Sequence, residues 1–439
     1  VTPRRAFGVA ALWGSVFLVY LISGIGTSGD SRWSIPIALS ILREGNTDLD
    51  EYDAVHDPAG AYAVESVRGH QYSMFPVGVS VVAVPFVLVI DRAIAAVHVL
   101  LPGLDEWLRS QSVDPSQPLT VLTFYWRVEQ LIASCITASA AVLIFVLARR
   151  ALSARHSVYV SLIFAFCTSA WSIGSTALWQ HGSSMFLLTA ALSLLVYARD
   201  RPALSQFVGI PLAIAYIVRP TNSVPILIFT VYVMLRHRGW FLRYLLWALP
   251  FAAALVAYNV HVYGMVLAPY YLPQRLEQHG AFWVAMAGNL FSPARGLFVY
   301  SPVFLFSVAG VLMKCKARTL SWLDVCVMAC IALHWVSISM FAIWWGGASY
   351  GPRLFSDMIP FLLYLMLPFL SAILDREGLR SAGKSAARVM LAVTLLVCVF
   401  MQYRGASSLA VWRWNQVPLE INDHPERLWD WRDPPFLRR

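Results

Sequence analysis

The stretch GTSGDSRWSIPIALSILREGNTDLDEYD, residues 26–53, decides how the chain is laid against a membrane. It follows an apolar run, 6–25, and opens with a carboxylate, Asp30, where that run leaves the bilayer. Trp33, Ile37 and Ile41 then recur at i, i+4 and i+8, flanked by Ala38 and Leu42, with Arg32, Ser40, Arg43 and Glu44 elsewhere. This spacing predicts an amphipathic helix lying in the interface, apolar face down. The stretch closes on Asp48, Asp50, Glu51 and Asp53. An acid held at a membrane surface, with more acids nearby, suits chemistry on a lipid headgroup.

Composition agrees with a membrane reading. The chain has 439 residues, of which 58% are hydrophobic and only 13% charged, with a mean hydropathy of +0.62. Several runs approach or exceed the roughly 20 apolar residues that span a bilayer, so the predicted class is an all-α polytopic membrane protein. VTPRR at the start, followed by an apolar run without an A-x-A site, reads as a retained first span. The net charge of +9 comes almost wholly from arginine, since lysine occurs only at Lys314, Lys316 and Lys384. In such a chain excess positive charge marks cytoplasmic loops and headgroup contact rather than nucleic acid. Cys135, Cys167, Cys326, Cys330 and Cys398 fall in apolar runs and Cys315 in a basic loop, so neither a disulfide nor a zinc site is expected.

Placing the basic loops inside orders the spans. Runs 6–25, 127–148, 156–173, 182–197, 205–218, 221–235, 243–262, 299–313, 320–342, 354–374 and 388–404 alternate so that every short basic loop is cytoplasmic. That predicts about eleven spans, with the N-terminus inside and the tail 405–439 outside. The further apolar run 76–101 would break the alternation, and it carries Asp91 and Arg92. It is therefore read as a juxtamembrane or re-entrant helix within one large external loop, 26–126. A second external loop covers 263–298. Domain 1–404 is thus the transmembrane unit.

The unusual polar residues collect on the external face of this map. They are Asp30 and the acids after it, Trp179-Gln180-His181, Arg219 with Pro220-Thr221-Asn222, Tyr270-Tyr271, Arg295 in SPARG, and Trp345, Tyr350 and Arg353 in WWGGASYGPR. Arginine at a span end binds phosphate as a planar fork, and neighbouring aromatics stack on a sugar or polyprenyl unit. Each also has an ordinary reading. Asp30 caps a helix, the acids form a solvated turn, the arginines snorkel, the aromatics form the interfacial belt and the prolines end helices. Their joint restriction to one face favours a site. Asp48, Asp50 and Glu51 are the candidates for a divalent cation, if one is bound.

These blocks resemble the GT-C superfamily of integral membrane glycosyltransferases, in the bacterial branch of protein O-mannosyltransferases and lipid A aminoarabinose transferase. The matching residues are Gly29-Asp30 and the helix after them, YSMFPVGVSVVAVPF at 72–86, ALWQHG at 177–182, IVRPTN at 217–222, LFSPARGLFVYSP at 290–302 and WWGGASYGPRLFSD at 344–357. Relatives often carry Asp-Glu after the glycine where this chain has Asp30-Ser31, so the second acid is not carried over. The resemblance implies inverting transfer of a pentose or hexose from a polyprenyl-phosphate donor to an acceptor hydroxyl of a glycan, lipid or protein outside the bacterial plasma membrane. Asp30 would be the base, Arg219, Arg295 and Arg353 would hold the donor phosphate, and Glu51, His181, Tyr270, Tyr271, Trp345 and Tyr350 would contact substrate. A lipid-linked glycan flippase would need mid-membrane helix breaks and a repeat. A wall-polymer ligase would promote His181 to base. A non-catalytic subunit of a glycosylation complex would be inert alone.

Overall fold

In hydrocarbon, backbone N–H and C=O groups have only one another as partners, and each of the eleven apolar runs is helical in the computed structural model. It describes residues 3–25, 28–56, 61–112, 116, 118–272, 280–374 and 382–439. Parts of the two predicted external loops (26–27, 57–60, 113–115, 117 and 273–279) and the basic loop 375–381 lie outside the described residues. Among the described residues, seven helices are long and apolar enough to cross a membrane: Gly78–Leu100, Val121–Ala148, Gln180–Ala198, Arg238–Tyr263, Trp322–Ser339, Arg353–Leu374 and Gly383–Ser407. Six of these coincide with predicted spans. The seventh, Gly78–Leu100, is the run read as juxtamembrane. The remaining runs form shorter helices, such as Ala154–Cys167 continued by a π-helical turn at Ala170–Gly174.

Burial grades from centre to edge. Gln180–Ala198 is 78% buried and Arg238–Tyr263 only 17%, so the first is the axis of the bundle and the second faces outward. The axis helix buries Ser183, Ser184, Thr189 and Ser193. Small polar residues let helices approach closely in a membrane, and Thr189 returns its hydroxyl to the Met185 carbonyl at 2.5 Å. At its far end Arg199 meets Ser321 and Tyr364, and Lys314 pairs with buried Asp324 at 2.8 Å. Helices Leu305–Lys316 and Ile359–Leu374 cross at Gly310, where a Cβ would lie 2.1 Å from the Leu365 carbonyl oxygen.

The amphipathic stretch forms helix Ser34–Arg43, but not lying in the interface with its apolar face down. Trp33 and Ile37 pack with Leu49 and Val55, and Ile41, Tyr52 and Val64 close over them. Ile35, Ala38 and Leu39 on the other side join the main core. The chain returning after Arg43 covers the stripe that lipid was expected to cover. That return includes a hairpin, Val64–Val67 paired antiparallel with His70–Ser73, an exception to the all-α expectation. Its two-residue turn, Arg68-Gly69, has positive φ at both positions, as a type I′ turn requires. Arg68 donates to the His261 carbonyl at 2.8 Å, tying the hairpin to helix Arg238–Tyr263. Helix Gly78–Leu100 runs beside Ser34–Arg43, and Asp91 pairs with Arg43 at 2.8 Å.

The tail is folded. Trp414, Ile421 and Leu428 pack with Trp344 and Trp345, while Val411, Trp412 and Phe436 pack with Tyr300 and Tyr350. The Gly310 crossing is directly testable. Gly310→Val should lower stability by about 1–3 kcal/mol through overpacking, read as a lower Tm in nanodiscs. Gly14→Ala, which meets nothing within 4 Å, should be neutral or stabilise by up to about 1 kcal/mol.

Candidate active site

A cavity of about 1250 Å³ opens at the end of the bundle where Asp30 lies. Gln130, in the first turns of Tyr125–Ala148, sets the Asp30 loop by donating to the Tyr20 and Leu21 carbonyls that end the first helix, at 3.2 and 3.0 Å. Its neighbour Glu129, also buried, accepts the Leu178 amide at 2.9 Å and fixes the turn into Trp179-Gln180-His181. The third wall comes from GGASYGPR. Gly351 has φ +59, and a Cβ there would strike the Tyr300 ring at 2.9 Å, so only glycine makes the turn that presents Arg353.

Two ion pairs meet in this wall. Arg353 Nη1 lies 2.8 Å from Asp30 Oδ2, and the Arg353 guanidinium stacks over Trp179 at 4.3 Å. Tyr62 donates to the other Asp30 oxygen at 2.8 Å. Partial burial and the adjacent Asp30 carboxylate push the Tyr62 phenol up to about 12, so it remains a donor throughout the neutral range. One turn beyond Arg353, Asp357 faces inward. Its side chain is fully buried, 2.8 Å from Arg219 Nε and 3.1 Å from His181 Nδ1. The single Nε–H of Arg219 is donated to Thr221 at 2.7 Å, so its contact with Asp357 is ionic, and its Nη1 lies 3.3 Å from His181 Nε2. Arginine only donates, so Nε2 accepts and the proton is on Nδ1. Both ring nitrogens are thereby taken. Arg219 Nη2 has no partner among the described residues, and Arg219 lines the cavity.

The sequence candidates therefore divide. Asp30, His181, Arg219, Tyr270, Tyr271 and Arg353 line the cavity together, with Tyr271 anchored on the Ile217 carbonyl at 2.8 Å. Arg295, expected to hold phosphate, is 1% exposed and does not line it. Its donors go to the Trp345, Ala294 and Gly347 carbonyls and to Asn415, so no fork is left for an anion. Trp345 and Tyr350, expected at substrate, are likewise outside the lining. Trp345 donates to Asn422 at 3.0 Å, and Tyr350 to the Met401 carbonyl at 2.6 Å. Glu51 bonds Ser40 at the rear of helix Ser34–Arg43, away from the lining.

The acids proposed for a cation group there too. Ligand atoms of Asp48, Asp50 and His70 lie within 4.8 Å of one another, as do those of Glu44, Asp48 and Glu51. None of these residues is in the cavity lining. Asp50 pins the hairpin, taking the Gln71 amide at 2.7 Å and His70 Nδ1 at 2.6 Å. Partial desolvation opposes ionisation of Asp50, but that amide and His70 together hold its carboxyl below the usual range. Four residues of the site had no role assigned from sequence: Tyr62, Glu129, Asp357 and Arg413. Asp357 carried a signal, an acid at the start of an apolar span, which marks a functional position in membrane helices.

No protein-family model matches the chain, and no curated protein sequence matches it. Solved structures do. A crystal structure of the Archaeoglobus fulgidus oligosaccharyltransferase tethered with an acceptor peptide is 11% identical with TM-score 0.52, over 99% of this chain and 60% of that one. The archaeal oligosaccharyltransferase AglB from Archaeoglobus fulgidus, in complex with an inhibitory peptide and a dolichol-phosphate, is 10% identical with TM-score 0.53, over 100% and 61%. The chain thus spans about three-fifths of the length of these relatives. The likeness is one of fold: this is a multi-pass helical membrane architecture shared with these oligosaccharyltransferase structures.

Asp357→Asn strands the Arg219 guanidinium beside a buried neutral amide. The expected loss is about 3–5 kcal/mol, read as a fall in Tm, with a large part recovered in the double variant Asp357→Asn/Arg219→Gln. An Asp357→Asn protein as stable as wild type would contradict a buried ion pair.

Proposed function

We propose that the chain is a membrane glycosyltransferase that moves a sugar from a polyprenyl-phosphate donor to an acceptor hydroxyl, with inversion. The observation that carries this reading is the Asp30–Arg353 pair, 2.8 Å apart at a large cavity that Arg219 also lines. Val79, Val224, Phe341 and Ile343 supply an apolar side for a lipid chain. AglB, which shares the fold, has been solved with a dolichol-phosphate, the same chemical class of lipid.

In this reading the donor phosphate takes hydrogen bonds from Arg353 and from Arg219 Nη2, charge-assisted contacts of the strong kind. As Arg353 turns to the phosphate, Asp30 is released from its partner and accepts the proton of the acceptor hydroxyl. The hydroxyl oxygen attacks the anomeric carbon, the bond to the phosphate oxygen breaks, and its electron pair leaves on the phosphate. The two guanidiniums stabilise that charge where it develops. Asp357 and His181 keep Arg219 aimed at it. Because both nitrogens of His181 are engaged, the ligase alternative with His181 as base is disfavoured.

Asp30→Asn preserves shape and much of the capping ability of the side chain but cannot take a proton. Turnover of a radiolabelled polyprenyl-phosphate sugar in proteoliposomes should fall about 10²-fold or more, with the polyprenyl phosphate still bound. A folded Asp30→Asn protein with normal turnover would remove Asp30 from the chemistry.

The reaction is placed on the external side, and helix Gly78–Leu100 is placed along that face with both ends outside. Support comes from the basic-loop pattern and from Gly78, whose absent side chain lets it approach the Ile217 carbonyl at the Arg219 end of the bundle. Cysteines at Met74 and Gly103, neither of them buried, should react with an impermeant thiol reagent in intact cells, and one at the exposed Arg155 should not. Reaction from opposite sides at positions 74 and 103 would make the helix a span and reverse the assignment of later loops.

A further inference from the structure

The cavity has a wall that the chemistry above leaves idle. Residues 406–422 leave the last long helix and pack against the loops of Arg295, Trp344 and Trp345, and at their root they are joined to the segment leading into the Asp30 loop. The Ile25 amide donates to the Ala406 carbonyl at 3.1 Å. Further along, Arg295 holds Asn415 at 2.7 Å, Trp345 holds Asn422 at 3.0 Å, and Ser292 donates to the Leu428 carbonyl at 2.5 Å. The buried arginine read from sequence as a phosphate ligand thus serves to clamp this segment. Burial lowers the Arg295 pKa to about 10, which leaves it charged at neutral pH.

Leu409, Trp412, Arg413, Gln416 and Asn422 of this segment line the cavity. Trp412 and Asn422 are committed, to the Gly405 carbonyl and to Glu420 and Trp345 respectively. Arg413 and Gln416 are not. They are three residues apart, which puts them on one side of a helical turn. Both are exposed, and neither side chain has a partner among the described residues. Charge makes Arg413 different from the other arginines of the lining. Arg353 faces Asp30 and Arg219 faces Asp357. The nearby tail acid Asp433 is already shared by Arg427 and Arg438. Among the described residues, Arg413 is the guanidinium of the cavity lining without a carboxylate partner.

We propose that Arg413, assisted by Gln416, is an anion-binding subsite for the acceptor, and that the acceptor carries a phosphate or carboxylate group. The inference rests on the glycosyltransferase reading. In an inverting displacement the acceptor hydroxyl approaches the anomeric carbon from the face opposite the departing phosphate, and the segment bearing Arg413 lines the same cavity as Asp30 and is rooted beside its loop. A guanidinium there offers two parallel N–H donors to two oxygens of the anion, and the Gln416 amide can donate to a third or to a neighbouring hydroxyl.

The test uses the full chain in phosphatidylcholine nanodiscs saturated with undecaprenyl phosphate, with [32P]orthophosphate as the anionic probe in equilibrium dialysis. Wild type should bind orthophosphate in addition to the lipid. Arg413→Gln should weaken that binding about tenfold or more, Arg413→Lys should restore part of it, and Arg432→Gln, on the exposed tail outside the cavity, should leave it unchanged. Affinity for undecaprenyl phosphate should remain within about twofold. No orthophosphate binding, binding insensitive to Arg413→Gln, or a parallel loss of undecaprenyl phosphate affinity would each overturn the acceptor subsite. Failure of wild type to bind undecaprenyl phosphate would instead overturn the donor reading.

Discussion

The fully buried carboxylate of Asp357 is the constraint on which the site depends. A charge removed from water at the end of a membrane helix is tolerated only if paired and hydrogen-bonded. Arg219 and His181, from two other segments, meet that need. The requirement works in both directions. Satisfying Asp357 fixes where the break between helices Gly209–Val218 and Ser223–Arg236 must lie, and it fixes the rotamer and tautomer of His181 at the mouth of the axis helix. Arg353, one turn before Asp357 in the same short helix, is thereby positioned to meet Asp30. One short segment, RLFSD, therefore registers three helical pieces and the Asp30 loop against one another.

Two ion pairs of different depth do different work. Asp357–Arg219 is sealed, so exchanging partners there would expose a bare charge to low dielectric at large cost. Asp30–Arg353 is partly exposed, with side chains 25% and 14% accessible. Such a pair loses less when it opens, and an incoming phosphate can replace the carboxylate without leaving the guanidinium uncompensated. The stacking of Arg353 on Trp179 limits its movement to a change of partner. In the proposed reaction this geometry would couple donor binding to release of Asp30 as the base, a reason for placing the two charges in contact before any substrate arrives.

The returning segments pack against the loops at the cavity end of the bundle. Residues 44–56 and 61–77 cover helix Ser34–Arg43, and 406–439 cover the loops around Arg295. Both are held by tryptophan N–H groups and arginine forks on main-chain carbonyls, donors that suit a polar end resting on an apolar bundle. The solved relatives are longer, and this chain covers about three-fifths of each.

Much of this was legible in sequence, and for identifiable reasons. Hydropathy located the helical runs because a bilayer allows hardly any other backbone, and the clustering of Asp30, His181, Arg219, Tyr270, Tyr271 and Arg353 on one face followed from the alternation of basic loops. What one-dimensional reading could not decide was which polar side chains spend their hydrogen bonds on the protein itself. Arg295, Trp345 and Tyr350 have the same residue types and flanking prolines and glycines as the cavity residues, yet they turn inward to carbonyls and Asn422. The stripe Trp33, Ile37 and Ile41 announces an amphipathic helix, but whether lipid or the chain itself covers it depends on where Leu49, Tyr52, Val55 and Val64 return. Asp357 and Arg413 gain their meaning only from partners distant in sequence, or from the lack of one. The sequence by itself determined the membrane class, the helices and the polar face, because these follow from local composition and periodicity. Only the tertiary structure decided which charges are neutralised and which are left to face a ligand, because pairing is a property of three-dimensional neighbours.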